Sequence, residues 1–171
     1  MHMWTANKLG AFTVLLADTL KRACGALSPS AAALLLTLYY SRSATATTLG
    51  KVAGISQPTA VRVLDGLIRQ GFVKRQVRTG RATFMRLTPL GRKSARLLQN
   101  ARLIAMSDVL NVLRPKEQAI FERVLDRILA DATTSPALAR TICRLCDHSV
   151  CHGPRCPIGT RARKIEQGVD I

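Results

Sequence analysis

Cys143, Cys146, Cys151 and Cys156 stand in the pattern C-x2-C-x4-C-x4-C near the end of a 171-residue chain. Sulfur donors at such spacings can surround one cation. The first two, three residues apart at the end of a helix, present their thiols on one side, and Gly153-Pro154 supply a turn that brings Cys151 and Cys156 round to complete a tetrahedron. The spacing equals that of a zinc knuckle, with Cys151 where the knuckle has histidine and Asp147 where it has glycine. Cys156-Pro157 also resembles the Cys-Pro that closes many iron–sulfur motifs. The expected cofactor is Zn2+, with an iron–sulfur cluster as the alternative; free thiols or a redox-switched disulfide are the remaining readings. His148 and His152 read as solvated neighbours, because four thiolates already fill a tetrahedral site. The fifth cysteine, Cys24, is isolated and reads as a buried, inert thiol.

A second set of residues has chemistry of another kind. Between Arg42 and Arg96 the chain carries twelve cations and a single acid, Asp65, a net +11 of the whole chain's +16. Charge this concentrated attracts a polyanion and releases its counterions. The elements that carry it are legible. Ser56 caps a helix beginning "SQPTAVRVLDGLIRQG", Pro58 is tolerated in the first turn, and Gly71 falls just past the end, where a left-handed backbone is needed. Val61, Leu64, Leu67 and Ile68 recur at helical intervals and are expected to face the body of the domain. Gln57, Thr59, Arg62 and Arg69 fall on the other side. A hairpin follows, with strands expected over 72–76 and 82–87, a reversal around 77–80, and Lys74, Arg75, Arg78 and Arg81 along it. A capped basic helix followed by a basic hairpin is the order of a winged helix-turn-helix. Ser56, Gln57, Thr59 and Arg62 would then meet base edges in the major groove of duplex DNA, and Lys74, Arg75, Arg78 and Arg81 its phosphates or minor groove.

The stretch from Leu49 through "GISQPTAVRVLDGLIRQGFVKR" to "LTPLGRK" resembles the winged-helix domain of MarR-type transcriptional regulators. The resemblance is specific over 28–113 and looser in the flanking helices. The wing tip, Val77-Arg78-Thr79-Gly80-Arg81, departs from the family's usual acid-containing stretch, so the acid that often braces a tip arginine has no counterpart at the tip. The resemblance implies a homodimer whose first, penultimate and last helices interlock, and a small aromatic effector held between the dimer helices and the winged domain. Trp4, Phe12, Tyr39, Tyr40 and Arg42 are the candidate effector contacts.

Helical patterns outside the basic segment fit this plan. One runs from about Trp4 to Ala23, a second over Ala31–Tyr40 behind Ser28-Pro29, a third over 89–113, and a fourth after Pro115 with Ile120, Phe121, Val124, Leu125, Ile128 and Leu129 on one face. The fold class expected is mainly α with a small β-wing, a winged helix-turn-helix dimerising through its N- and C-terminal helices. The expected segments are 1–27 (dimerisation), 28–88 (DNA-binding), 89–132 (dimerisation) and 133–171 (a cysteine-rich basic tail).

Other classes fit worse. No glycine-rich phosphate loop, nucleophile beside a base, or paired carboxylates are present, so an enzyme is not expected. The apolar run over Ala31–Tyr40 is too short to span a bilayer, and Leu9–Ala17 continues into an amphipathic helix with Asp18 and has no clear cleavage signal, so neither a membrane partner nor export is expected. A DNA-binding protein works in the reducing cytoplasm, where clustered cysteines favour metal over disulfide. The expected function is sequence-specific regulation of transcription, in the repressing sense, as a homodimer on a pseudo-palindromic operator, with a possible response to a ligand or to redox state. The alternative is a basic protein binding nucleoid DNA or RNA without sequence preference.

Overall fold

Capping side chains begin most of the helices. The hydroxyls of Ser28, Thr45, Ser56, Thr88 and Ser135 each accept from the backbone N–H three residues on, at 3.0–3.4 Å. Each satisfies one of the donors that a helix start leaves orphaned. The computed structural model describes residues 2–77 and 83–168, and its helices are α1 (Met3–Cys24), α2 (Pro29–Ser41), α3 (Ala46–Ala53), α4 (Gln57–Arg69), α5 (Pro89–Leu110), α6 (Pro115–Asp131), α7 (Pro136–Ile142) and α8 (Pro157–Glu166), of which these caps start α2, α3, α4, α5 and α7. Strands β1 (Ala44–Thr45), β2 (Val73–Val77) and β3 (Thr83–Leu87) form one antiparallel sheet in the order β1-β3-β2. Its register pairs Ala44 with Met85 and Arg75 with Met85 across the two ladders. The fold is the mainly helical winged helix-turn-helix that the sequence pattern predicts.

α2 is the hub. Leu34, Leu35, Leu36 and Leu38 are all but sealed from solvent, as a helix apolar on every side must be. They pack with Leu49 of α3, Leu64 and Leu67 of α4, Val73, Met85 and Leu87 of the sheet, and Ala95 and Leu98 of α5. Each leucine so buried stabilises the fold by roughly 1.5–3 kcal/mol.

The hairpin begins one residue later than the hydrophobic pattern suggests. Phe72 is occupied elsewhere: its N–H donates to the Leu67 carbonyl at 2.9 Å while the N–H of Gly71 donates to Ile68 at 2.9 Å. This double bond closes α4 with Gly71 in the left-handed region, at φ 74°, the geometry that favours glycine there. Of the reversal expected around 77–80, residues 78–80 lie outside the described residues.

The same junction fixes α5. The Thr88 hydroxyl donates to the Gly71 carbonyl at 2.6 Å, and the Thr88 N–H donates to the Phe72 carbonyl at 3.0 Å. A Cβ on Gly91 would stand 1.9 Å from that carbonyl oxygen. Glycine at 91 is therefore a matter of space, not of backbone angle.

Within the cysteine-rich, basic segment expected over 133–171, α7 and α8 build a second small core of Ala139, Cys156 and Ile158 against Leu129 of α6. Pro157 stands in the first turn of α8 with Cys156 as its cap, a start signal hidden in a Cys-Pro pair. The tail, moreover, does not rest on the dimer helices alone, since α7 also packs on α3 and the turn at Cys143–Leu145 packs on α2.

Gly91→Ala is expected to lower the unfolding free energy by more than ~2 kcal/mol in urea titrations, because the displaced atom is backbone. Gly66, in the middle of α4, has nothing within 4 Å of where a Cβ would be; Gly66→Ala should raise stability by about 0.5–1 kcal/mol.

Candidate nucleic-acid interface and the cysteine cluster

α4 buries a narrow stripe, Ala60, Leu64 and Leu67. Gln57, Thr59, Arg62 and Arg69 are exposed. Val61, expected to face the core, is instead 39% exposed. The stripe follows i, i+4, i+7 from Ala60, so the next residue lies about 100° round the helix, and Ala60 holds the inward place assigned to Val61. An apolar methyl pair is thus set among the polar side chains of the outer face.

Ser56 begins this helix and its hydroxyl lies 2.8 Å from that of Thr59. Of the predicted wing residues, Lys74 is exposed on β2. Arg75 is not free: its guanidinium meets Asp65 of α4 at 2.7 Å. The lone acid of the basic segment thus ties the wing strand to the recognition helix, a bracing role served here from the helix and invisible in the local sequence of the hairpin. Arg86 of β3 donates to Gln76 across the ladder at 3.3 Å. Arg78 and Arg81 lie outside the described residues.

The helix-turn-helix is held at short range. Gly50 of α3 would bring a Cβ within 3.1 Å of the Ile55 carbonyl and 3.3 Å of Ala60, so α3 and α4 approach closely. Gly54 ends α3 in the left-handed region, φ 68°.

The five candidate effector contacts do not gather. Trp4 is 81% exposed at the start of α1, Phe12 meets Phe121 of α6 edge-on at 6.4 Å, and Arg42 ends α2 with φ 63°. Tyr39 lies under the Arg92 guanidinium at 5.8 Å. Of the five, Tyr40 alone lines a cavity of about 760 Å³, together with Leu36, Phe84, Arg140, Arg144 and His148. The far wall of that cavity is the tail, whose docking the sequence did not disclose.

All four clustered cysteines reach the same cavity wall. Cys143 lies close enough to Cys146, and Cys151 to Cys156, for each pair to share a thiol proton. The shared proton pushes the Cys143 thiol up and the Cys146 thiol down, and burial raises Cys151 to about 11. The Gly159 N–H donates to Cys156 Sγ at 3.2 Å. His148 is exposed, and its ring stacks on Tyr40 at 4.6 Å between centroids. Sequence reasoning missed Gln99 and Arg102 of α5 here. Arg102 acts electrostatically on Cys146, and the Gln99 oxygen accepts from the Asp147 N–H at 2.8 Å and from Arg102 at 3.1 Å. Both lie on a helix that sequence spacing cannot place beside the cysteines.

This geometry has close relatives. The model of the MarR family matches residues 27–80. The transcriptional regulator PA3341 is 31% identical, with 74% of this chain covering 96% of that one at a TM-score of 0.54. A MarR-family regulator from Silicibacter pomeroyi is 26% identical over 77% of this chain and 91% of its own, at 0.57. The oxidized form of MarR from E. coli, 20% identical over 71% of this chain and 93% of its own, shares the fold at 0.60. No curated protein matches the chain significantly in sequence. The chain belongs to the MarR family. It is a DNA-binding regulator of transcription and not an enzyme.

Asp65→Asn should release Arg75 toward phosphate. Stability is expected to change by less than about 1 kcal/mol, as for exposed ion pairs, while the slope of log affinity against log salt on random duplex steepens by roughly one unit. Fluorescence anisotropy across a salt series reads both affinity and slope.

Proposed function

We propose that the protein represses transcription as a homodimer on a pseudo-palindromic operator. The observation that carries this reading is the outer face of α4: Gln57, Thr59 and Arg62 project from a helix seated by Ala60, Leu64 and Leu67. Such a helix can enter the major groove with its N-terminal turns among the base edges. In this reading Ser56, Gln57, Thr59 and Arg62 read sequence, with the Val61 methyls available to a thymine, while Lys74, Arg75, Arg78 and Arg81 hold the backbone or the minor groove.

Dimerisation rests on unpaired apolar surface. α6 buries no residue within the chain, yet Ile120, Val124, Leu125 and Ile128 all lie on it, with exposures of 36–55%. Val14 and Leu15 of α1 and Ile104 of α5 are similarly bare. Faces of this extent mark an interface, and a two-fold dimer also matches a palindromic site. A small aromatic effector is proposed for the cavity bounded by Tyr40 and Phe84, where Arg140 and Arg144 suit an anionic group. No single helix among the described residues is long and apolar enough to cross a membrane, in keeping with action on cytoplasmic DNA.

Selection from a random duplex pool should yield a palindromic consensus. On that site Arg62→Ala is expected to cost about 1–3 kcal/mol and far less on random DNA. Equal losses on both, or a wild-type preference of only a few-fold, would instead make the protein a non-specific binder of nucleic acid. Occupancy of the site should lower transcript yield from a promoter overlapping it in a purified transcription assay.

Sedimentation at micromolar concentration should give a dimer, and Ile120→Glu with Ile128→Glu should shift it to monomer with loss of operator affinity. A monomeric wild type with full affinity would contradict this arrangement.

A further inference from the structure

The wall that carries the four thiols has the makings of a cation site. Its donors come from three short segments: the turn at Cys143–Leu145, the loop at Cys151, and the start of α8 at Cys156. Tight backbone bonds set the turns, with Cys146 N–H on Cys143 O at 2.9 Å and Cys151 N–H on Asp147 O at 2.8 Å. Around the sulfurs stand positive groups. The Gly159 N–H points at Cys156 Sγ, and Cys156 lies at the positive end of the ten-residue helix α8. Arg102 faces Cys146, and its Nε is buried with no hydrogen-bond partner. Two neutral thiol pairs have no use for a half-buried guanidinium whose Nε is unpartnered. An anionic thiolate cluster does.

We propose that Cys143, Cys146, Cys151 and Cys156 hold one Zn2+ as a closed tetrathiolate, and that this ion fastens α7 and α8 to the face made by α2, α3 and α5. Four thiolates around a divalent ion leave two negative charges, which Arg102 and the N–H groups at the start of α8 offset. Zinc suits the site because soft thiolates in a tetrahedral set select it and because no open position is needed. Binding exchanges protons for metal: four thiols and Zn2+ give the tetrathiolate and up to four H+. As the side chains stand, no three His, Cys, Asp or Glu groups among the described residues are placed to hold a metal ion. All four thiols nevertheless line one wall of the same cavity, and the proposal requires their side chains to turn toward a common centre when the ion binds.

The fastening has named contacts. The Thr141 hydroxyl donates to the carbonyl of Lys51, in the last turn of α3, at 3.4 Å. Tyr40 of α2 hydrogen-bonds Asp147 and stacks on His148, while Gln99 of α5, 2% exposed, receives the Asp147 N–H. Two of the elements packed on the recognition helix, α2 and α3, are thus touched by the segment the ion would order.

The test needs no DNA, so its outcome is separate from that of the operator reading. Full-length protein purified without chelator should be colourless and contain about one zinc per chain by elemental analysis. Stripping with chelator should open residues 136–166 to limited proteolysis, and adding Zn2+ back should restore protection with release of protons. Cys146→Ser should lose the zinc, and Arg102→Gln should weaken its retention against a competing chelator about tenfold or more. Three results would overturn the proposal: iron with visible absorption in place of zinc, Cys143–Cys146 or Cys151–Cys156 disulfides by mass spectrometry, or metal-free wild type whose four thiols titrate while the tail stays protease-resistant. The chelator and add-back experiment on the wild type decides the matter even where a cysteine variant fails to fold.

Discussion

The carbonyl of Phe72 is the point on which the reading head depends. It accepts from the Thr88 N–H, and only a glycine at 91 leaves it room. One residue earlier the Gly71 carbonyl accepts from the Thr88 hydroxyl. α4 ends, the wing strand begins and α5 starts within this knot of backbone. For α4 to read bases as proposed, it must be held to within fractions of an ångström of its partners. Here that precision comes from hydrogen bonds between main chain and a single threonine, backed by a contact too short for any side chain. The Asp65–Arg75 pair adds a second, softer tie between the same elements.

Most of this was legible because it is local. Ser56, Pro58 and Gly71 delimit α4 by capping rules that act within one turn, and the alternation in β3 survives as burial of Met85 and Leu87. What sequence could not supply were relations between distant segments. The assignment of Val61 failed because a three-residue inward stripe leaves the choice of its first member to the neighbouring helix, and Gly50 of α3 admits only the small Ala60. The docking of the tail was hidden for the same reason. Gln99 and Arg102 look like ordinary positions on a long helix until α7 folds back across α3. α8 was lost to a competing interpretation, since Pro157 after a cysteine reads equally as a ligand motif and as a helix start.

The two halves of the molecule also differ in how they meet water. The winged domain seals its leucines completely and shows solvent a polar, cationic face. The tail does the reverse, with a core of few residues and thiols where a larger domain would have aliphatic side chains. So small a core supplies little burial energy. Its position beside Tyr40 and along the cavity means that whatever steadies it also shapes the space available to an effector.

The bareness of α6 has a consequence for how the chain acquires its structure. Elements that bury leucines within the chain, α2 through α5, can condense as soon as they are made, through contacts mostly close in sequence. α1 and α6 have less to gain until a second copy arrives, so for the proposed dimer the last stage of folding is bimolecular and its rate is set by the abundance of the protein itself. A regulator built this way has a concentration below which its dimerisation helices stay loosely held and exposed to proteases. The number of copies in the cell then sets the supply of reading heads through assembly as well as through simple count.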